Sequence, residues 1–223
     1  MTQNASAIRT DISRPAAGVV QAFGDLSPTT LGDVLDLGCV MRIGIGPLWP
    51  GMPRIAGPAF TVRTAPRDNL MLHAAIYLAE PGDVIVVEAG DAETAVAGGN
   101  VCAVAQRRGV AGFVIDGVIR DVAESRANAF PVFARGVSPM PRGAEGPGEI
   151  NAPITCGGIR VSPGDVIVAD EEGIVVVPGG RAAEVLARAQ AKASADAAES
   201  LEAWETKHQA RVEATLKAKG YRP

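Results

Sequence analysis

Between Pro81 and Arg135 the chain alternates short apolar runs with helical patterns, and this alternation restricts the fold more than any other feature. Pro81-Gly82-Asp83 is a turn signal, with Pro at the second and Gly at the third position, and it leads into the apolar run Val84-Ile85-Val86-Val87-Glu88. A helical pattern over about 99–108 follows, then a strand at 110–116, a helical turn at 121–127 and a strand at 131–135. Short buried strands separated by helices predict an α/β fold with an at least partly parallel sheet. The hexapeptide P-G-D-V-I-V recurs at Pro163 to Val168, again ahead of a strand. Two explanations compete: an internal pseudo-repeat, or one good turn-strand sequence used twice.

The flanks divide the rest. Residues 1–40 carry two helical patterns, Ser13-Arg14-Pro15 through Phe23 and a second opened by Ser27 as N-cap with Pro28 at the first helical position and Gly38 after its end. Residues 44–57 around Trp49 read as a loop, and Pro58 to Thr64 as a strand by β-branched alternation. Asp68 is placed to cap a helix from Asn69 to Leu78, on which His73 reads as a packed or capping residue. From Gly148 to Val177 the pattern turns all-β, with turns at Gly157-Gly158, Pro163-Gly164 and Glu172-Gly173 and hairpins expected over one side of the sheet. The α/β core thus spans 57–180. Residues 181–219 form a long helical pattern, broken at most once, whose apolar stripe of Leu186, Leu201, Trp204, Val212 and Leu216 is expected to reach a neighbouring subunit.

Composition narrows the chemistry. All four lysines, Lys192, Lys207, Lys217 and Lys219, lie in the last 32 of 223 residues, so the body of the protein lacks the lysine that a Schiff base requires. His73 and His208 are the only histidines, which excludes a multi-histidine metal site and disfavours a Ser-His or Cys-His dyad. A net charge of −4 without any basic run argues against nucleic acid and against an anionic membrane surface. No apolar stretch approaches the roughly 18 residues needed for a membrane span. Met1 to Ser6 lack signal-peptide character, so the cytoplasm is the expected location. Cys39, Cys102 and Cys156 are widely spaced and read as reduced, mostly buried thiols. Carboxylates, arginines, backbone amides and a metal held by oxygen remain.

Those groups concentrate between Gly98 and Glu124. Gly98-Gly99 precedes the helical run from Asn100, where free amides and the helix dipole favour an anion. Beyond the apolar strand ending at Asp116-Gly117, Arg120 and Asp121 fall at the carboxyl end, where α/β sheets bind ligands. Arg120 offers a planar fork for a carboxylate, and Asp121 can hold a hard divalent cation. Glu124, one helical turn on, shares a face with Asp121 and can support the metal shell.

This stretch resembles the RraA-like family, which includes the class II 4-hydroxy-4-methyl-2-oxoglutarate and 4-carboxy-4-hydroxy-2-oxoadipate aldolases. The resemblance rests on Gly99, twenty residues, Arg120-Asp121, two residues, Glu124, with the strand Gly109 to Gly117. Gly57 to Val62 and Pro81 to Val84 extend it to about residues 20–180. It implies a compact swivelling-domain-like β/β/α core with flanking helices and a long C-terminal helix, and trimers or hexamers with sites at subunit interfaces. It also implies Mg²⁺ or Mn²⁺ at Asp121, and a pyruvoyl group gripped by Arg120 and the backbone of Gly98, Gly99, Asn100 and Val101. The implied activity is a pyruvate-forming lyase acting on a 2-oxo diacid, by retro-aldol cleavage or by decarboxylation of oxaloacetate. Without a Schiff-base lysine, the enolate must be stabilised electrostatically.

Two departures stand out. The dedicated aldolases tend to carry an aspartate where this chain has Gly99, a carboxylate that orients a catalytic water and that decarboxylation needs less. They also borrow a glutamate from a neighbour's C-terminal helix, for which Glu199, Glu202 and Glu205 are the candidates here. The competing reading is a non-enzymatic regulator that binds a ribonuclease, against which the intact Arg120-Asp121-x-x-Glu124 argues. A phosphohistidine carrier would need a histidine on an exposed loop, and a methyltransferase would need a Gly-rich loop after an early strand; neither is present.

Overall fold

The computed structural model describes residues 7–221; Met1 to Ser6 lie outside the described residues. In chain order the strands are β1 (Ala7–Ile8), β2 (Gly46–Pro47), β3 (Ile55–Thr64), β4 (Val84–Glu88), β5 (Ala95–Ala97), β6 (Gly112–Ile119), β7 (Val132–Val137), β8 (Gly148–Ile150), β9 (Ile154–Cys156), β10 (Ile159–Val161), β11 (Val166–Asp170) and β12 (Gly173–Val177). The helices are α1 (Ala17–Phe23), α2 (Pro28–Gly32), α3 (Leu70–Leu78), α4 (Gly99–Arg107), α5 (Val122–Ala127), α6 (Ala182–Ala198) and α7 (Leu201–Ala218). The main sheet runs β1-β8-β3-β4-β6-β7-β2, and β3, β4, β6 and β7 pair in parallel as the alternation required. Long β3 is the hub: residues 59–63 pair with β4, while on its other edge residues 55–58 meet β11 and 62–64 meet β8.

Strand periodicity sorts the side chains into layers. Phe60, Val62, Ile85, Val87, Phe113 and Ile115 face α3 and α4 in one core. Their neighbours Ala59, Val84, Val86 and Val114 face Ile167, Ala169, Ile174 and Val176 of the β11–β12 hairpin in a second core. The alternate hairpin residues, Val166, Val168, Val175 and Val177, pack on α1, α2 and α6 in a third. A strand buried on both faces must be apolar throughout, which is why β11 and β12 are continuous Val and Ile runs. The result is an α/β/β/α stack, the β/β/α core with flanking helices that the family resemblance implied.

The two P-G-D-V-I-V copies make the same turn. Gly82 and Gly164 have φ of 91° and 83°, and each aspartate accepts from the amide three residues before it, Glu80 N to Asp83 at 2.9 Å and Ser162 N to Asp165 at 2.8 Å. The strands that follow pair with β3 in opposite senses, β4 parallel and β11 antiparallel. The recurrence is therefore a local turn used twice. Asp83 also anchors the N-terminal segment, because its buried carboxylate accepts from Arg14 at 2.9 and 2.7 Å.

Several boundaries differ from the sequence reading. Arg14 is drawn to the Asp83 turn, so α1 begins at Ala17 and not at Ser13. Ser27 caps α2 as expected, accepting from Thr30 N at 3.1 Å, but the helix stops at Gly32 and Gly38 lies in a 3₁₀ turn. On α3, Asp68 accepts from Leu70 N at 2.8 Å. The most consequential difference is in β6, which continues past Asp116-Gly117 to Ile119. Its register with β7 shifts between Ile115 and Val118, as at a β-bulge, and Gly117 lies so close to Ala89 that a Cβ would sit 2.6 Å from that methyl. The C-terminal pattern does break once, at Glu199-Ser200, where Ser200 caps α7 through Ala203 N at 3.2 Å. α6 buries Ala182, Val185 and Ala189, whereas α7 buries nothing in the chain. Among the described residues no helix is long and apolar enough to cross a membrane.

Candidate active site

The extra residues of β6 carry Arg120 to the strand's exit, where its amide donates to Ala97 O at 3.0 Å and so ties β6 to the end of β5. Asp121 follows with φ 57° and ψ 37°, a left-handed conformation that non-glycine residues seldom adopt and that Asp tolerates better than most. It occupies the N-cap position of α5 but makes no cap there. Its Oδ2 instead accepts from Gly99 N, the first amide of α4, at 3.1 Å. The backbone thus turns sharply to aim a carboxylate across at a neighbouring helix start.

The glycines exist to let this happen. A Cβ on Gly98 would lie 2.6 Å from Asp121 Oδ2 and 3.1 Å from Arg120 Nε, and one on Gly99 would collide with the Glu124 carboxylate. Gly98, Gly99, Arg120, Asp121 and Glu124 are therefore brought together as the sequence spacing suggested. The Arg120 Nε to Asp121 Oδ2 separation is 3.5 Å with both side chains more than two-fifths exposed. Such an open pair contributes at most about 1 kcal/mol, so both groups are available to a ligand.

They open onto a cavity of about 210 Å³, a small-metabolite volume below the 300–1,000 Å³ of larger ligand pockets. Gly98, Asn100, Val101, Arg120 and Asp121 line it; Gly99 and Glu124 do not, the Glu124 carboxylate being packed against Gly99 behind the lining. The remaining lining escaped sequence reasoning: Asn69 and His73 from the α3 region, Ala95 and Ala97 of β5, and Pro141, Arg142 and Ala144 from the loop after β7. Nothing in the local pattern marks these residues as a site: Asn69 reads as a helix start, His73 as a packed or capping residue, and Arg142 belongs to no motif.

The Arg142 side chain is wholly buried. It donates to the carbonyls of Thr94 (2.7 Å), Asp68 (3.3 Å), Ala89 (2.6 Å) and Asp91 (3.0 Å), and pairs with Asp91 Oδ1 at 3.2 Å. Burial lowers its pKa, opposed by Asp91 and Asp68. Burial alone would raise Asp91, but the amides of Arg67, Thr94 and Glu93 and the Arg142 charge outweigh it and hold its pKa at about 2. Burial also lowers His73, against the pull of Asp68, favouring the neutral imidazole. Cys102 and Cys156 are buried and Cys39 partly so; burial raises all three thiols, Cys102 to about 11, which leaves them protonated as expected.

Among the described residues no three His, Cys, Asp or Glu side chains cluster as a self-sufficient metal cage. Asp121 nevertheless suits Mg²⁺ or Mn²⁺, which bind through one or two carboxylates and fill the remaining positions with water and ligand oxygens.

A family model described as RraA-like, Aldolase/RraA, matches residues 29–176. The chain belongs to the RraA-like family. Among its relatives is a Halalkalibacterium halodurans protein named "Putative 4-hydroxy-4-methyl-2-oxoglutarate aldolase", 41% identical over 84% of this chain and 89% of the relative. A Thermus thermophilus protein named 4-hydroxy-4-methyl-2-oxoglutarate aldolase is 33% identical over 57% of this chain and 78% of its own. In structure, the chain is similar to Streptomyces coelicolor RraAS2, described as an unusual member of the RNase ES inhibitor RraA protein family. That match has a TM-score of 0.73 and 31% identity, and covers 89% of this chain and 99% of that one. The matched RraA-like segment contains every lining residue of the cavity, whereas α6 and α7 lie beyond it.

Proposed function

We propose that this RraA-like chain is a divalent-metal-dependent lyase that releases pyruvate from a 2-oxo acid, by retro-aldol cleavage of a 4-hydroxy-2-oxo acid or by decarboxylation of oxaloacetate. The observation that carries this reading is the convergence of Arg120, Asp121 and the α4 amides on one small cavity whose lining holds no lysine.

Arg120 would receive the substrate carboxylate in its fork. The amides of Asn100 and Val101, in the first turn of α4, have no intrahelical partner and add dipole-backed donors for the same anion. Asp121 would hold Mg²⁺ or Mn²⁺, with Glu124 behind Gly99 placed to support that arrangement. When bound, the cation supplies Lewis-acid stabilisation of negative charge growing on the 2-oxo oxygen. In retro-aldol cleavage the C3–C4 bond breaks and its electron pair forms the pyruvate enolate. The C4 hydroxyl gives its proton to a solvent water and becomes a carbonyl, and C3 takes up a proton from solvent. Decarboxylation reaches the same enolate by losing CO₂ from C4.

Pyruvate release coupled to lactate dehydrogenase should stop on treatment with EDTA and return with excess Mg²⁺ or Mn²⁺. Release unaffected by complete metal removal would overturn the proposal. The regulator reading is supported by the likeness to RraAS2; co-purification of a ribonuclease with a protein lacking lyase activity would favour it.

The site is proposed to work in a trimer or hexamer. Support comes from α7, which leaves Leu201, Trp204, Val212 and Leu216 exposed and carries Glu202 and Glu205, while Glu199 is engaged by Lys207 at 2.7 Å. Light scattering should give the mass of three or six chains, and truncation after Ala198 should lower it without lowering the thermal midpoint of the remaining fold. An unchanged mass would remove α7 from the assembly.

A further inference from the structure

Retro-aldol cleavage releases a proton from the C4 hydroxyl, and few groups around the cavity can receive it. Among the described residues, the titratable members of the lining are His73, Arg120, Asp121 and Arg142. Arginine keeps its protons in proteins, and Asp121 is committed to the cation in the lyase reading. Arg142 is closed as well as charged, because its N–H groups are directed at the carbonyls of Thr94, Asp68, Ala89 and Asp91 and at the Asp91 carboxylate. The apolar and amide side chains that complete the lining take up no proton. His73 remains.

Helix geometry puts its ring there. Asn69 is the N-cap of α3 and His73 follows four residues later, so the two share one face, and both border the cavity. Arg120, Asp121 and the first turn of α4 form the charged side. A substrate whose carboxylate and 2-oxo oxygen are held on that side has C1 and C2 fixed there, and its C3–C4 bond must extend into the remainder of the cavity. His73 is half-buried, and among the described residues neither ring nitrogen has a hydrogen-bond partner. The ring is therefore open to a ligand hydroxyl.

Its charge state suits the task. Burial lowers the His73 pKa against the pull of Asp68, so the imidazole is a free base at neutral pH. The Asp68 carboxylate, fastened to the amides of Leu70, Glu145 and Gly146, supplies a fixed negative charge that favours the imidazolium once it forms.

We propose that His73 is the general base of retro-aldol cleavage, taking the C4 hydroxyl proton on a ring nitrogen as the C3–C4 bond breaks and passing it to solvent water. The O–H electron pair becomes the second bond of the new carbonyl, and the C3–C4 pair goes to the enolate. C3 is protonated from solvent, and the imidazole returns to its neutral form. The inference rests on the lyase reading and adds a residue to it. Decarboxylation of oxaloacetate removes no hydroxyl proton, so the two reactions should depend on His73 to different degrees.

The test measures kcat/KM with Mn²⁺ for cleavage of 4-hydroxy-4-methyl-2-oxoglutarate and for decarboxylation of oxaloacetate, across pH, in the unaltered protein and in His73→Gln. General-base catalysis contributes about 10²–10⁴-fold, so His73→Gln should lower the ratio of cleavage to decarboxylation by about 10²-fold or more. That ratio is insensitive to the fraction of folded protein. In the unaltered protein it should fall as pH drops below 6.5, the ordinary histidine value, because the protonated ring accepts nothing; in His73→Gln it should stay level. The same ratio in both proteins, or a ratio independent of pH in the unaltered one, overturns this inference and leaves the lyase reading standing. Decarboxylation without any cleavage does likewise. Absence of both reactions overturns the two together.

Discussion

Asp121→Asn is expected to lower metal-dependent pyruvate release by roughly 10³-fold or more, equivalent to about 4 kcal/mol of transition-state stabilisation. The substitution is chosen for what it preserves. Asparagine tolerates the left-handed backbone at this position nearly as well as aspartate, and its side-chain oxygen can still accept from Gly99 N, as Asp121 does at 3.1 Å. Only the negative charge is removed. Because the pair with Arg120 is loose and exposed, the thermal midpoint should barely move, and calorimetric titration should show loss of Mn²⁺ binding. Full activity in Asp121→Asn would mean that no cation works through this carboxylate.

Arg142→Met is expected to cost about 3–5 kcal/mol of folding stability, the range for removing one member of a buried ion pair, as read by urea unfolding. Methionine approximates the length of the side chain but leaves the Thr94, Asp68, Ala89 and Asp91 carbonyls without their donor and Asp91 without its counter-charge. Arg142→Lys should fall between, because it keeps the charge but cannot reach all four carbonyls. A loss below about 1 kcal/mol for Arg142→Met would show that this loop relaxes freely. The same cluster makes stability acid-sensitive. The pKa of Asp91 is about 2, below the ordinary aspartate value of 3.8. Its contribution is therefore complete above the unfolded pKa and is lost as pH falls through about 4 to 2.

Both substitutions address the same cavity, yet only one was visible beforehand. Asp121 could be found because its chemistry is local: an apolar strand, then Arg-Asp at the exit, one turn before Glu124, with a glycine pair at another helix start. Asn69 and Arg142 could not. They lie about thirty residues before and forty after that glycine pair, and neither carries a pattern of its own. Their place at the site depends on which carbonyls Arg142 meets and on Asn69 bordering the cavity, and these are facts of packing. His73 shows the same limit, since a helix pattern places it on α3 without saying that its ring borders a cavity.

The sequence by itself determined an α/β fold with an at least partly parallel sheet, the all-β segment after Gly148, the long C-terminal helical stretch and the grouping of Gly98, Arg120 and Asp121. Periodicity, turn chemistry and short-range spacing act over a few residues and survive in the one-dimensional pattern. Tertiary structure alone decided that β6 runs through a bulge to Ile119, that the second P-G-D-V-I-V strand pairs antiparallel, and that Glu124 sits behind Gly99 outside the cavity lining. It also decided that Arg142 spends its charge on the backbone. Each of those outcomes is set by contacts between segments distant in the chain, where strand register, close backbone approach and hydrogen-bond satisfaction choose among options that local sequence leaves equal.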